Sequence, residues 1–165
     1  MVSAVVNEAS VRAALRDVVD PEIPTISIID LGIVRAVTVD AAGVQVEIIP
    51  TFIGCPAIGV ICDDVRARLA EFGPVEVRVC YDEPWTSERI TPYGRECLKA
   101  AGFAPPAHVR VVEGGTFPLT LHQVVPCPFC DARNTRLENP FGPTLCRAIY
   151  YCPTCRQPFE HFKAV

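Results

Sequence analysis

The sequence lacks the features that would place it in a membrane, in an export pathway or on a nucleic acid. No apolar run approaches the roughly 20 residues that a membrane-spanning helix needs. The N-terminus has neither a basic segment nor a long apolar stretch of the kind that marks exported proteins. Lysine and arginine form no cluster and the formal net charge is -4, whereas nucleic-acid affinity depends largely on concentrated positive charge. We therefore expect a soluble, cytoplasmic protein that binds neither membrane nor nucleic acid.

Histidine is also scarce. The chain has three, His108, His122 and His161, and all lie beyond residue 100. A catalytic cysteine usually needs a nearby base, and none of the three falls in a Cys/His/Asn pattern. The sequence therefore argues against a nucleophilic enzyme, and we expect a non-catalytic protein.

The length suits one ordinary domain and a small module. The chain has 165 residues, of which 50% are hydrophobic and 21% charged, a balance typical of ordered globular proteins. From residue 102 onward, prolines and a pair of glycines interrupt the short apolar segments. We predict a first domain over residues 1–103, a connector over 104–125 and a small module over 126–165.

Apolar periodicity predicts an α+β first domain. Asn7 is a candidate N-cap for the first helix, and Gly73 followed by Pro74 should end the second. The predicted elements, in chain order, are a helix with an apolar face at Val11, Ala14, Leu15 and Val18, an ordered loop over 20–32, paired strands over 33–39 and 44–49, a helix from Pro56 to Phe72, a strand over 75–81 and a short helix over 92–101.

The most specific motif is a pair of Cys-x-x-Cys sequences in the small module. Cys127 and Cys130 form the first, Cys152 and Cys155 form the second, and 21 residues separate them. This spacing predicts a tetrahedral site of four thiolates around a structural zinc ion. Iron held as in rubredoxin is an alternative for the same ligands. Because the module has little apolar content, metal binding should supply much of its folding free energy.

The chain has nine cysteines, so five lie outside this pair of motifs. In an unexported protein they are expected to be thiols or metal ligands, because the cytosol keeps cysteines reduced. Cys146 lies close in sequence to the second motif. It is either a small buried apolar residue or an alternative ligand or redox group.

Cys55 stands out because the sequence places it between a predicted strand and a predicted helix. With Pro56 as the first helical residue, Cys55 would be the N-cap, where the helix dipole favours an anion. An acidic thiol at this position could bind a soft metal or act as a nucleophile, and Gly54 would let a partner approach the backbone closely. The alternative is an ordinary packed cysteine.

Carboxylates in the preceding loop form the second candidate group. Asp20, Glu22 and Asp30 lie beside prolines and a glycine, where carboxylates commonly form turns and caps. If the loop folds over the start of the second helix, they could instead line the surface around Cys55.

Several segments together resemble a known family. Asp20-Pro-Glu-Ile-Pro24, Asp30-Leu-Gly32 and Gly54-Cys-Pro56 resemble the SufT-type iron-sulfur assembly domain. Pro50-Thr-Phe-Ile-Gly-Cys-Pro-Ala57, Pro84-Trp-Thr86, Ala104-Pro-Pro106, Phe141-Gly-Pro-Thr-Leu-Cys146 and Pro158-Phe-Glu-His-Phe-Lys163 resemble the PaaD family. The likeness implies a small mixed sheet packed with two to three helices, followed by a zinc ribbon.

The resemblance also implies a function and a set of residues. It implies an accessory factor that matures iron-sulfur or iron centres of the phenylacetyl-CoA 1,2-epoxidase in aerobic phenylacetate catabolism. Implied partners are the epoxidase subunits and its reductase, and the implied cargo is a transient iron-sulfur cluster. Because one thiol cannot hold a cluster alone, the other ligands would come from a second copy of the chain, a partner or a small thiol. The implied cluster-transfer residues are Cys55, Asp20, Glu22, Asp30 and Thr51. A structural subunit of the oxygenase and a rubredoxin-like electron carrier are the alternatives. Trp85 and Phe141 are candidate contacts with a client if they are exposed, although large aromatic residues are more often buried in a core.

Overall fold

The computed structural model describes residues 6–108 and 124–163. The chain divides into two compact units, Met1–Trp85 with Arg89–Gly94 and Thr86–Glu88 with Arg95–Val165. His122 and most of the predicted connector lie outside the described residues. The limits 1–103, 104–125 and 126–165 therefore remain predictions.

The first unit is an α+β domain, as predicted. Its helices are α1 (Glu8–Ala14), α2 (Ile58–Leu69) and the start of α3 (Pro92–Ala100), and its strands are β1 (Val19–Asp20), β2 (Ile23–Ser27), β3 (Val34–Asp40), β4 (Gly43–Ile48) and β5 (Val75–Val79). Strands β3, β4 and β5 form one mixed sheet in which β3 and β4 are antiparallel and β4 and β5 are parallel. Helix α1 packs on β3 and α2 on β5.

Buried and partly buried residues alternate along β4, so one face of the sheet packs on the core of this unit. Val44, Val46 and Ile48 are buried, whereas Gln45 and Glu47 are only partly buried, as expected for a strand with one face on the core. Gln45 lies opposite Glu76 of β5 and Glu47 opposite Arg78, so the other face of the sheet is polar.

The first helix follows the prediction closely. Asn7 is its N-cap, because its Oδ1 accepts a hydrogen bond from the Ser10 amide and the Ser10 side chain accepts one from the Asn7 amide. Val11, Ala14, Leu15 and Val18 are all buried. A short 3₁₀ turn, Leu15–Asp17, extends the helix.

Three local predictions were wrong. The segment 20–32 contains strand β2 and is not only a loop, because it pairs back onto β1. Helix α2 begins at Ile58 with Ala57 as its N-cap, so Pro56 is not its first residue. Trp85 is 2% exposed and donates from Nε1 to the Leu31 carbonyl at 3.2 Å, which makes it a core residue of the first unit and not an exposed contact.

The second unit contains the end of α3 and a sheet in which β6 (Phe103–Ala104), β9 (Gln157–Phe162), β8 (Arg147–Cys152) and β7 (Arg136–Asn139) lie side by side in that order. Its core combines Ala104, Val125, Cys127, Cys152 and Phe159. Arg147 is buried in this unit and forms an ion pair with Glu160 at 2.9 Å. Among the described residues of the whole chain, no helix has the length and apolarity to cross a membrane.

Candidate functional site

The two Cys-x-x-Cys motifs form matching turns in the second unit. Cys127 and Cys130 precede β7, whereas Cys152 ends β8 and Cys155 lies in the turn to β9. The residue after each turn, Asp131 with φ 57° and Arg156 with φ 60°, has a left-handed backbone. This conformation reverses the chain immediately after the second cysteine of each motif, so that both thiols of a motif face the same point.

The structure brings all four predicted ligands together. Their Sγ atoms lie within 4.8 Å of one another, with Cys127 and Cys155 at 3.6 Å and Cys130 and Cys152 at 3.5 Å. Sulfurs held about 2.3 Å from one ion at the corners of a tetrahedron are about 3.8 Å apart. The separations therefore fit a tetrathiolate metal site and exceed the bonded S–S distance of about 2 Å.

The electrostatics of the cluster also fit a cation. Backbone hydrogen bonds, chiefly from the Cys155 amide, lower the pKa of the Cys152 thiol to about 6. Burial, and then the neighbouring thiols, raise the pKa of Cys155 to about 12. Sulfurs packed this closely cannot all ionise together unless a positive charge lies between them. A divalent cation such as zinc would supply that charge, and a tetrahedral ion needs no ligand beyond these four thiolates.

The other candidates in this unit lie outside the cluster. Cys146 is half-buried and its Sγ lies 3.1 Å from Thr144 Oγ1, while its carbonyl accepts from the Lys163 amide. His161 is not one of the residues that converge on the metal position. Phe141 is 60% exposed, as proposed for a contact residue.

Cys55 occupies the turn between β4 and α2. It is half-buried, its amide donates to the Phe52 carbonyl and its own carbonyl accepts from the Ile58 amide. The prediction that Cys55 caps α2 was wrong, because Ala57 holds that position, and the expected acidity from the helix dipole loses its basis. The thiol nevertheless lies in a turn that solvent reaches.

Two apolar residues that lie close to Cys55 in the sequence are exposed. Ile53 is 85% exposed and Val60, on the first turn of α2, is 51% exposed. Nothing in the periodicity singles out Ile53. The available signal is an isoleucine in a turn next to Gly54 and Pro56, where neither a strand nor a helix can bury it.

The structure gives Asp20 the turn-forming role. Its Oδ1 accepts from the amides of Glu22 at 2.8 Å and Ile23 at 3.0 Å, which is an Asx turn. Asp20 is buried at the end of β1, whereas Glu22 is exposed. The two carboxylates therefore differ, because one holds the backbone and the other faces solvent.

Asp30 is a buried structural carboxylate. Ser27 Oγ donates to Oδ2 at 2.6 Å, Thr91 Oγ1 donates to Oδ1 at 2.9 Å, and Arg16 Nη1 lies 3.1 Å from both oxygens. Burial raises the pKa of Asp30, but these donors outweigh it and hold the pKa below the usual value. Thr51, the remaining candidate, is buried after β4.

The comparisons with known proteins agree with both parts of this description. Residues 8–79 match the family described as "Iron-sulfur cluster assembly protein", and residues 113–163 match the "PaaD zinc beta ribbon domain". The chain is therefore an iron-sulfur cluster assembly domain joined to a zinc ribbon. It belongs to the PaaD family.

Relatives extend over most of the chain. An Escherichia coli K12 protein, named as a candidate component of 1,2-phenylacetyl-CoA epoxidase, is 39% identical over 93% of this chain and 90% of its own length. The Bacillus subtilis 168 Fe-S protein maturation auxiliary factor YitW is 33% identical over 54% of this chain and 90% of its own length. A crystal structure of a domain of unknown function DUF59 from Bacillus anthracis matches with a TM-score of 0.52 and 34% identity, over 55% of this chain and 90% of that one.

Proposed function

We propose that this protein is an accessory factor in iron-sulfur cluster assembly and not itself a catalyst. The observation that carries the proposal concerns Cys55. This half-buried residue lies in a solvent-accessible turn, inside the segment that matches the iron-sulfur assembly family. The names of the relatives support the same role, because one group of them consists of Fe-S protein maturation factors.

The client we propose is the phenylacetyl-CoA 1,2-epoxidase. Its support is the similarity of nearly the whole chain to a candidate component of that enzyme. In this role the protein supplies iron-sulfur or iron centres to the multicomponent oxygenase or its reductase, in the cytoplasm. The zinc ribbon, with exposed Phe141, provides a separate surface for contact with those proteins.

Cys55 is the transfer ligand in this scheme. Iron-sulfur clusters usually take about four protein ligands, so one thiol cannot hold a cluster alone. The remaining ligands come from a second copy of the chain, from the client or from a small thiol. Exposed Ile53 and Val60 provide apolar surface beside Cys55, where a second protein would exclude water from a bound cluster.

The acidic residues have unequal parts in the proposal. Glu22 is exposed and able to face a cluster or its carrier. Asp20 and Asp30 act indirectly, since their oxygens accept the hydrogen bonds that fix the loop. Thr51 is buried at the start of the segment that leads to Cys55.

The ribbon metal in this proposal is zinc with a structural role. Cys127, Cys130, Cys152 and Cys155 fill all four positions of a tetrahedral ion, so no position is left for water or substrate. The ion would hold the two turns together and so keep the sheet in place.

The test is anaerobic purification of the wild type, Cys55→Ser and the control Cys97→Ser, followed by reconstitution and analysis of iron, sulfide and zinc. Cys97 is also half-buried but lies on α3, outside the matched assembly segment. We expect all three proteins to carry zinc and only Cys55→Ser to lose iron and sulfide uptake. Equal uptake by Cys55→Ser and wild type would remove Cys55 from the scheme.

The same preparations separate the alternatives. A red protein with iron in place of zinc in the ribbon would indicate a rubredoxin-like electron carrier. Stable copurification with the epoxidase, with full epoxidase activity in Cys55→Ala, would indicate a structural subunit.

A further inference from the structure

The second unit contains a cavity that the metal site does not explain. Its volume is about 340 Å³, and Cys127 is the only one of the four cluster cysteines among the described residues that line it. Pro105, Val125 and Pro128 form apolar walls. Ligand sites typically have volumes from about 300 Å³ upward and apolar walls with a few polar groups, so both the size and the lining fit a small organic ligand.

His161 offers the cavity a buried hydrogen-bond acceptor. Its side chain lines the cavity although the residue is only 4% exposed. Nδ1 lies 3.0 Å from the Ala104 carbonyl, and because a carbonyl only accepts, Nδ1 carries the proton. Burial lowers the pKa of His161, so the ring is neutral and Nε2 has a lone pair. Nε2 bonds to no other described residue, which leaves it available to a ligand.

Two cationic side chains also line the cavity. Lys99 Nζ is 2.6 Å from Asp131 Oδ1, so its charge is largely neutralised. Arg133 is exposed and forms no ion pair with any described residue. Its guanidinium therefore leaves the cavity with a net positive group, which favours an anion.

We propose that this cavity binds a small organic acid whose apolar body also carries a hydroxyl or N–H group. The carboxylate pairs with Arg133, the apolar body lies against Pro105 and Val125, and the hydroxyl or N–H donates to His161 Nε2. The cavity adjoins the tetrathiolate cluster at Cys127 and does not include Cys55, so it adds a ligand-binding activity to the ribbon unit.

The test is a titration of the full, zinc-loaded chain followed by ¹H–¹⁵N NMR. Three ligands of matched chain length are compared: 6-hydroxyhexanoate, hexanoate and 1,6-hexanediol. We expect the Val125 amide and the His161 ring to shift, with 6-hydroxyhexanoate bound at least about fivefold more tightly than the diol, because the diol lacks the charge-assisted contact. Hexanoate should bind more weakly than the hydroxy acid because it leaves Nε2 unpaired.

Variants assign the contacts. Arg133→Gln should weaken binding of 6-hydroxyhexanoate about fivefold and leave the diol unaffected. Arg156→Gln is the matched control, since Arg156 is also exposed, follows the other cysteine motif and forms no ion pair with the described residues. His161→Phe should remove the preference for the hydroxy acid over hexanoate. If this variant does not fold, the comparison of the two acids on the wild type tests the same contact.

Three results would overturn the proposal. The first is equal affinity for the diol and the hydroxy acid, and the second is an equal loss in Arg133→Gln and Arg156→Gln. The third is a titration in which no ligand shifts the cavity residues, or in which the shifts accompany loss of zinc.

Discussion

Asp30→Asn should destabilise the first unit strongly, although the change removes no volume. The carboxylate is 4% exposed and accepts from Ser27, Thr91 and Arg16. An asparagine keeps one acceptor oxygen and presents an NH₂ group to donors that then have no acceptor. It also leaves the Arg16 charge without its partner. Loss of a buried charged acceptor of this kind costs about 3 kcal/mol in free energy of unfolding.

The measurement is chemical denaturation of the zinc-loaded chain at neutral pH. Asp63→Asn is the matched control, because the Asp63 side chain is 81% exposed and its one ion pair within the described part of the chain is with Arg66, three residues away on α2. We expect that variant to change stability by less than about 0.5 kcal/mol. Zinc content should stay unchanged in both variants. Equal stability of Asp30→Asn and wild type would refute the structural role assigned to Asp30.

The stability that Asp30 contributes also depends on pH. The pKa of Asp30 is below its usual 3.8 in the folded protein, so the folded state binds this proton less tightly than the unfolded chain. The stability that Asp30 contributes is therefore complete above the unfolded pKa and is lost as the pH falls through the folded one. In Asp30→Asn this part of the acid dependence should disappear.

Three further predictions concern the rest of the chain. Chelation of the metal, or Cys152→Ser, should unfold the second unit and leave the first folded, because zinc supplies on the order of 10 kcal/mol of folding free energy at such a site. The control Cys146→Ser should retain the metal. NMR spectra measure the folding of each unit, and zinc analysis measures the metal content. Arg147→Met should cost about 2 kcal/mol in denaturation experiments, since the Glu160 carboxylate, whose side chain is 30% exposed, loses its buried ion-pair partner. Gly32→Ala should destabilise the protein by at least about 2 kcal/mol, because φ is +74° and an added Cβ would lie 2.2 Å from the Arg89 carbonyl oxygen. Gly59→Ala is the control, since an added Cβ there would meet no atom within 4 Å, and it should be neutral or stabilising in a thermal melt.

Each of these predictions has a contradicting result. A second unit that keeps its dispersed NMR spectrum after complete zinc removal would show that its core folds without metal. Unchanged stability of Arg147→Met would mean that the ion pair only offsets its own desolvation cost. Equal effects of the two glycine substitutions would show that the close approach at Gly32 is not rigid.

Local patterns predicted the regular elements well. The Asn7 cap, the buried face of α1 and the stop at Gly73, which ends the 3₁₀ turn Ala70–Phe72 that follows α2, all follow from rules that act within a few residues. Buried Trp85 escaped because its hydrogen-bond partner, the Leu31 carbonyl, is 54 residues away in sequence. Strand β2 escaped for a different reason, since it pairs with β1 only a few residues before it, but the two prolines of the segment favour a loop. Helix propensity also could not show that α2 begins at Ile58, two residues after the proline.

The candidate sites divide in the same way. The sequence spacing was enough to predict that Cys127, Cys130, Cys152 and Cys155 lie together, because two short turns around one ion allow few other arrangements. Sequence could not separate the structural carboxylate of Asp30 from a surface one, since its donors come from segments up to 61 residues away. The cavity beside His161 was equally invisible, because its walls meet only in the folded second unit.

The most direct measurement of the central claim is cluster transfer from this protein to a client. The chain is loaded anaerobically with a ⁵⁷Fe-labelled cluster, mixed with an apo iron-sulfur acceptor and separated, and the acceptor is examined by Mössbauer spectroscopy. The account predicts that wild type and Cys97→Ser deliver labelled cluster and that Cys55→Ser does not. Delivery by Cys55→Ser at the wild-type rate, or no delivery by any of the three proteins, would contradict it.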